Sequence, residues 1–519
     1  GVWGVQDASR KYFGVDASQV TISEAATLAG MLKGPGIYNP IDHPENANNR
    51  KNTVLSVMEE NGKLTKEQYQ AESQTDISQY LNDTYDNSES GYRYPYYFDA
   101  VIDEAVKEYG LDEADVMNKG YKIYTALDQD YQKQLEATYQ NNAIFPANAA
   151  DGAMVQSASV ALDPQSGGVE ALVGRRGEHV FRGFSFATQM ERSPGSTIKP
   201  LSVYAPALEA GYTPSSVLRD EPQSYYDAHN FDGTYQGSVP MYQAVANSLN
   251  LPAVWLLHEI GLQKGYDKAE EFGLPLSKSD KYYGLALGGL EKGVSPLTMA
   301  GAYSAFANKG KMYTPHLITK IVDSTGAVIV DNTSKKPKQV ISEETADQMT
   351  SMLLGTFSNG TAVAANPAGY TVAGKTGTTE TNFDSTKAND QWIVGYTPDV
   401  VISTWMGYEE SSEIHYLEGT SGNVVGRVFK SAAEGILPYT DKSSFSVADA
   451  YATGGQVVAA DQVNNDTQSN GETSQWQDNL NQYGEQAKDG LKKFGDLVKD
   501  GVKGVGEAAK DLWRKYQGE

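Results

Sequence analysis

The chain opens with helical patterning over residues 1–75. Thr21-Ile22-Ser23-Glu24-Ala25-Ala26-Thr27-Leu28-Ala29-Gly30 begins with a hydroxyl cap and an acid, runs through Ala and Leu, and stops at Gly. Gly34-Pro35-Gly36 breaks the pattern, and a second helical stretch follows over 49–58. Thr65-Lys66-Glu67-Gln68 starts a third; Glu67 stands two places after the Thr, so a full capping box is not expected. Residues 76–92 are polar and acidic and read as a surface loop or linker. A helix from Tyr97 to Tyr109, a β-rich Tyr121–Thr125 and a helix from Asp128 to Asn141 come next. Ala158–Pro164 and Gly167–Gly174 then read as a β-hairpin, and mixed helices and strands continue to about Pro438. Residues 446–480 have the Gly, Ser, Asn and Gln content of a flexible linker. In the last stretch apolar residues recur at alternating steps of three and four (Ala487, Leu491, Phe494, Val498, Val502, Val505, Ala509, Leu512, Tyr516). Lys-Asp pairs at 488, 499 and 510 mark an 11-residue repeat. Five glycines weaken that helix, which leaves a surface-docking amphipathic segment and a frayed tail both open.

These textures divide the chain at 1–75, 76–150, 151–440, 441–482 and 483–519. A length of 519 residues suggests about three domains, and 39% hydrophobic residues suffice for large cores. No apolar run approaches the ~20 residues of a membrane span, and Gly1-Val2-Trp3-Gly4 does not lead into a signal-peptide core, so the chain reads as a soluble body. With 42 basic and 66 acidic residues the formal charge is −24, which disfavours nucleic-acid binding. The absence of cysteine excludes disulfides, thiolate zinc sites and thiol nucleophiles. The six histidines (43, 179, 229, 258, 316, 415) lack metal-ligand spacing, and no phosphate-cradling loop is present, so no metal and no cofactor is expected. Tyr92-Arg93-Tyr94-Pro95-Tyr96-Tyr97 fits interdomain packing or a sugar platform.

Nucleophilic chemistry without cysteine must use Ser, Thr, Lys or a carboxylate. Ser196-Thr197-Ile198-Lys199 is the only Ser-x-x-Lys, and on a helix its ends share one face. A lysine that burial or a second positive charge keeps neutral can take the hydroxyl proton. Ser193-Pro194-Gly195 predicts a turn that sets Ser196 at a helix N-terminus, where free N–H groups favour developing negative charge. One such match arises by chance about once in a chain this long. Two companions add specificity: Ser248-Leu249-Asn250, about 50 residues on, and Lys375-Thr376-Gly377-Thr378 on a strand-like segment. Gly377 permits close backbone approach at a strand edge.

The ordered triplet resembles the signature of penicillin-binding proteins and class A β-lactamases. Arg192–Pro200, Leu285–Gly289 with Ser295–Thr298, and Asp390–Pro398 resemble penicillin-binding transpeptidases, over roughly residues 150–440. Arg10–Gly14, Ser23–Gly30, Tyr38–Pro40 and Arg50–Leu55 resemble the end of a family-51 peptidoglycan glycosyltransferase domain. Together they resemble a bifunctional class A penicillin-binding protein of a Gram-positive coccus, lacking its membrane anchor and the catalytic glutamates of glycan polymerisation.

That resemblance implies an α+β multidomain fold: a β-lactamase-like antiparallel sheet flanked by helices. It also implies a linker domain over 76–150 and a helical remnant of a lysozyme-like glycosyltransferase over 1–75. It implies a serine D,D-transpeptidase at the outer face of the plasma membrane, acting on peptidoglycan stem peptides and lipid II-derived glycan, acylated by β-lactams and open to partnership with other cell-wall synthesis proteins. Ser196 would be the acyl acceptor, Lys199 its base and Ser248 a proton relay to the leaving amine. Lys375 would be the charge that keeps Lys199 neutral. Asn250 would hold the donor amide, and Thr376 and Thr378, flanking Gly377, would bind the substrate carboxylate. The Ser196 and Thr378 N–H groups would form the oxyanion hole. A hydrolase of the carboxypeptidase or β-lactamase type shares the same triplet, and a β-lactam-binding scaffold stays open beside both.

Overall fold

The computed structural model describes residues 4–82 and 93–463. Helices Gly4–Phe13, Ile22–Met31, Pro44–Glu60 and Lys66–Ser73 form the N-terminal part. The Ile22 helix starts where the sequence indicates: Thr21 accepts from the Glu24 N–H, and Glu24 accepts from the Thr21 N–H at 2.7 Å. The Lys66 helix corrects the expectation, because Gln68 completes a full capping box with Thr65. Two small cores lie here, one around Phe13, Leu28 and Met31 and one around Ala26, Leu55 and Leu64. Lys51 is fully buried and its ammonium donates to the carbonyls of Glu72 and Thr75.

The larger part is organised by a five-stranded antiparallel sheet in the order Ala373–Glu380, Ala388–Tyr396, Val401–Gly407, Gln156–Leu162, Val169–Val173. The expected hairpin is its last pair. Both sheet faces are covered, which explains apolar runs such as Trp392-Ile393-Val394. Side chains alternate across the pleat, so Trp392 and Val394 enter a core with Met299 and Met349. Ile393 enters the opposite core with Leu135, Val428 and Phe429. Helices Pro296–Ala307 and Glu343–Ser358 supply the first core; Gln129–Gln140 and Val425–Ile436 supply the second.

Two expected boundaries differ. Residues 93–150 have no core of their own. Tyr97 is buried in the main core, and its hydroxyl donates to the Val169 carbonyl at 2.6 Å. Lys122–Thr125 pairs with Ile318–Val322, about 200 residues away, a partnership that local pattern cannot register. Gln132 pairs its amide with the N–H and C=O of Leu172 (2.7 and 2.9 Å), covering one sheet edge. Tyr94 joins the same core and Tyr96 donates to Gly177, so these tyrosines pack; Tyr92 lies outside the described residues.

The expected linker is also shorter than its composition suggests. Residues 441–463 fold back on the domain: Phe445 meets Tyr396 edge-on, Val447 and Ala450 are buried, and Ser351 donates to Ala448 O at 2.7 Å. A few apolar anchors outweigh the polar content around them. The remaining linker and the 11-residue-repeat tail lie outside the described residues.

Candidate active site

The free-facing edge strand of the sheet, Ala373–Glu380, carries Lys375, Thr376, Gly377 and Thr378. Against it lies a composite helix: a 3-10 turn Gly195–Ile198, a wide π turn Pro200–Tyr204 and a short α-helix Ala205–Glu209. Pro200, with no N–H to give inside the helix, accounts for the change of pitch. Ser196 is the second residue of the first turn, as the Ser-Pro-Gly turn predicts.

Glycine dictates how close the two elements come. Gly195 has φ of +52°, and a Cβ there would meet the Thr378 carbonyl oxygen at 2.6 Å and nitrogen at 2.9 Å. A Cβ on Gly377 would meet Pro194 O at 2.5 Å and Thr197 N at 3.1 Å. Gly377 therefore lets the strand approach the Ser196 turn, a role beyond the substrate approach its position suggests.

The turn is pinned from several sides. Ser193 Oγ donates to Gly288 O (2.6 Å), Trp392 Nε1 to Ser193 O (2.9 Å), and Tyr303 OH to Thr197 O (2.6 Å). Arg192 pairs its backbone with Val294 and its guanidinium with buried Asp390 at 3.4 Å. Asp390 also accepts from Trp405 Nε1 (2.9 Å) and Thr379 Oγ1 (2.8 Å). Burial raises the Asp390 pKa, and these partners oppose the rise.

Both lysines are fully buried. Lys199 Nζ donates to Ser248 O (2.7 Å), Leu249 O (2.9 Å) and Asn250 Oδ1 (2.7 Å), three acceptors for the three protons of an ammonium. Burial first, and the like charge of Lys375 second, pull the Lys199 pKa well below the ordinary lysine value. Lys375 Nζ donates to Ser248 Oγ (2.6 Å) and Thr376 O (3.0 Å), and burial lowers its pKa to about 7. Ser248 thus sits between the two amines, its carbonyl on one and its hydroxyl on the other. It reaches both from a left-handed backbone, φ +58°, which costs a residue with a Cβ roughly 1 kcal/mol.

The structure brings Lys199, Ser248, Asn250, Lys375 and Thr376 into one hydrogen-bonded group. Ser196 stands apart from it: its Oγ has no hydrogen-bond partner among the described residues, on a half-buried side chain. Asn250 is already engaged at both ends, since its Nδ2 donates to His229 O at 2.8 Å. One amide proton is left for a substrate carbonyl.

Three further residues build the site. Asn230 Oδ1 accepts from the N–H groups of Asn250 (2.8 Å) and Leu251 (3.2 Å), capping the Asn250–Ile260 helix whose own N-cap, Leu249, has no polar side chain. Thr361 Oγ1 lies 2.6 Å from Thr376 Oγ1, and Ser421 Oγ lies 2.6 Å from Thr378 Oγ1. All three come from distant loops with no motif spacing to betray them. Cavities of about 630 Å³ beneath residues 437–463 and about 650 Å³ beside Glu104 and His316 contain none of these residues. The convergence of charge, rather than cavity size, picks out this edge.

Residues 157–434 match the family model described as "Penicillin binding protein transpeptidase domain", and residues 1–59 match "Transglycosylase". The chain is 48% identical over 487 residues to penicillin-binding protein 2a of Streptococcus pneumoniae, covering 92% of this chain and 66% of that protein. It is 38% identical over 436 residues to penicillin-binding protein 1F of Bacillus subtilis, covering 83% and 59%. The chain therefore spans about two thirds or less of the length of these relatives. The structure of the PonA1 protein of Mycobacterium tuberculosis in complex with penicillin V superposes with a TM-score of 0.58 at 25% identity, covering 68% of this chain and 96% of that one. Penicillin-binding protein 1A of Haemophilus influenzae shares the fold, with a TM-score of 0.65 at 22% identity over 86% and 84%.

Proposed function

The chain belongs to the penicillin-binding transpeptidase family, and from that premise we propose that it is a serine D,D-transpeptidase working through an acyl-enzyme on Ser196. The observation that carries the reading is the pair of buried lysines on either side of Ser248, beside the Ser196 turn (Lys199 Nζ to Ser248 O 2.7 Å, Lys375 Nζ to Ser248 Oγ 2.6 Å). Two ammonium groups so close in a dry site are unfavourable, so one proton is readily lost. Lys199, with the stronger downward pull, is the amine that becomes a base.

Neutral Lys199 gives up one of its three hydrogen bonds and takes the Ser196 proton. Ser196 Oγ then attacks the penultimate D-Ala carbonyl of a stem peptide. The N–H groups of Ser196 and Thr378 receive the oxyanion; the Thr378 nitrogen packs against Gly195, next to the nucleophile. Collapse breaks the peptide bond, and the departing D-Ala amine takes its proton through Ser248. The hydroxyls of Thr376 and Thr378 hold the terminal carboxylate, and buried Lys375 supplies positive charge behind them. An amine from a second stem peptide attacks the ester and releases Ser196, which cross-links peptidoglycan. β-Lactams, which mimic the donor, stop at the first ester.

The setting is the outer face of the cytoplasmic membrane, where stem peptides are joined. Among the described residues no helix is long and apolar enough to cross a membrane. The segment matching the transglycosylase family points to glycan polymerisation as the partner activity of the whole protein.

The test is a partition experiment. A thioester donor ending in D-Ala is supplied with and without a D-amino acid acceptor, and amide and acid products are separated. Amide formation that rises with acceptor supports the transpeptidase. Acid alone at every acceptor concentration would make the protein a hydrolase.

A further inference from the structure

The two hydroxyls that flank Gly377 are not equally ready to donate. Thr376 Oγ1 lies 2.6 Å from Thr361 Oγ1, and either oxygen can supply the proton. Thr361 Oγ1 has no other hydrogen-bond partner among the described residues, so it can donate to Thr376 and leave the Thr376 proton for an anion.

Thr378 is placed differently. Its Oγ1 lies 2.6 Å from Ser421 Oγ, and Ser421 Oγ lies 2.7 Å from the Gly377 carbonyl. A carbonyl only accepts, and a serine hydroxyl has one proton. The Ser421 proton is committed to Gly377, so the Thr378 proton must fill the other contact. In this arrangement Thr378 has no proton for a carboxylate. To donate outward, Thr378 must turn its proton away from Ser421. Ser421 must then turn its own proton from Gly377 to Thr378. The two hydroxyls rotate together; no covalent bond changes, and the Gly377 carbonyl gives up its hydrogen bond from Ser421.

We infer that Ser421 is a positioning residue that sets the hydroxyl proton of Thr378 and, through it, the preference of the site for an acyl donor ending in a carboxylate. The inference rests on Thr378 contacting that carboxylate, as in the proposed function. Ser421 is fitted to the task by its rigidity. It is buried, its carbonyl accepts from the Gly426 N–H at 2.8 Å, and Gln391 Nε2 holds the same loop through Gly419 O at 2.8 Å. A Cβ on neighbouring Gly422 would collide with the Thr361 carbonyl, so the loop also presses on the segment behind Thr376. With the carboxylate bound, Ser421, Thr378 and the anion form a chain in which each hydrogen bond polarises the next.

The experiment compares acylation of the full chain by benzylpenicillin and by its methyl ester, which lacks the anion. Second-order rate constants are measured for wild type, Ser421→Ala, Thr378→Val and the double variant. The acid-to-ester ratio should fall roughly tenfold in Thr378→Val, which removes the hydrogen bond to the carboxylate itself, and by a smaller factor, about threefold, in Ser421→Ala, which removes the hydroxyl that donates to Thr378 when the anion is bound. Adding Ser421→Ala to Thr378→Val should change the ratio no further. Equal proportional losses for acid and ester in Ser421→Ala would mark a merely structural residue and overturn the inference. So would a further drop of the ratio in the double variant. A wild type that neither compound acylates would overturn the reading of Ser196 itself, and this inference with it.

Discussion

Replacing Lys375 with Met should stabilise the fold at low pH, weaken it at high pH and abolish acylation. Lys375 is fully buried, and its pKa falls from the ordinary lysine value of 10.5 to about 7. That difference corresponds to about 5 kcal/mol of stability lost by holding the charged form in the folded protein. The sign follows from proton binding. Between pH 7 and 10.5 the unfolded chain holds a proton on Lys375 that the folded chain does not. Wild-type stability therefore rises with pH across that window, by about 1.4 kcal/mol per pH unit. Below pH 7 the full penalty is present. Met removes the penalty but forfeits the hydrogen bonds to Ser248 Oγ and Thr376 O, about 1 kcal/mol each. The net is a gain of about 3 kcal/mol at pH 6 and a loss of about 2 kcal/mol above pH 10, with a crossing near pH 9. Release of Lys199 from a like charge acts in the same direction at low pH. Urea unfolding of both proteins, followed by fluorescence at pH 6 and pH 10, reads the difference. A Met variant less stable than wild type at pH 6, or a gap that does not change with pH, would refute the reasoning. Acylation by a penicillin should fall at least 100-fold in the variant at either pH, about 3 kcal/mol or more of barrier.

Substitutions at three other positions test the scaffold around the lysines. Gly377→Ala puts a Cβ against Pro194 O at 2.5 Å and Thr197 N at 3.1 Å, both backbone atoms. It should cost about 1–3 kcal/mol in urea unfolding and slow acylation more than tenfold, by parting strand and nucleophile. Ser248→Gly and Ser248→Ala should both impair acylation. Ser248→Gly should be more stable than Ser248→Ala by about 1 kcal/mol, because φ is +58° there. Asp390→Ala should destabilise by about 3 kcal/mol in thermal or urea unfolding, since it leaves the half-buried Arg192 without its carboxylate.

The cluster around Ser248 was legible because three short motifs supply its residues in fixed order, and the structure brings Lys199, Ser248, Asn250 and Lys375 within hydrogen-bond reach. Helix starts were legible where a cap and its partner lie within four residues, as at Thr21. Long-range pairing was not. Lys122–Thr125 gains its meaning from Ile318–Val322, and no local pattern in either names the other. Ser421 and Thr378 meet across 43 positions, and Asn230 caps a helix 20 positions away. A lone hydroxyl or amide in a polar loop looks the same in sequence whether it points to water or to a catalytic strand. Composition misled at 441–463, where Phe445, Val447 and Ala450 hold a polar segment to the domain.

The central claim is that Ser196 is the acyl acceptor. Wild type and Ser196→Ala are incubated with a fluorescent penicillin, and the adduct is followed by intact mass and peptide mapping over hours. The account predicts one penicilloyl group on Ser196, stable over that time in wild type and missing from the variant. An adduct that maps elsewhere, persists in Ser196→Ala, or never forms would contradict it.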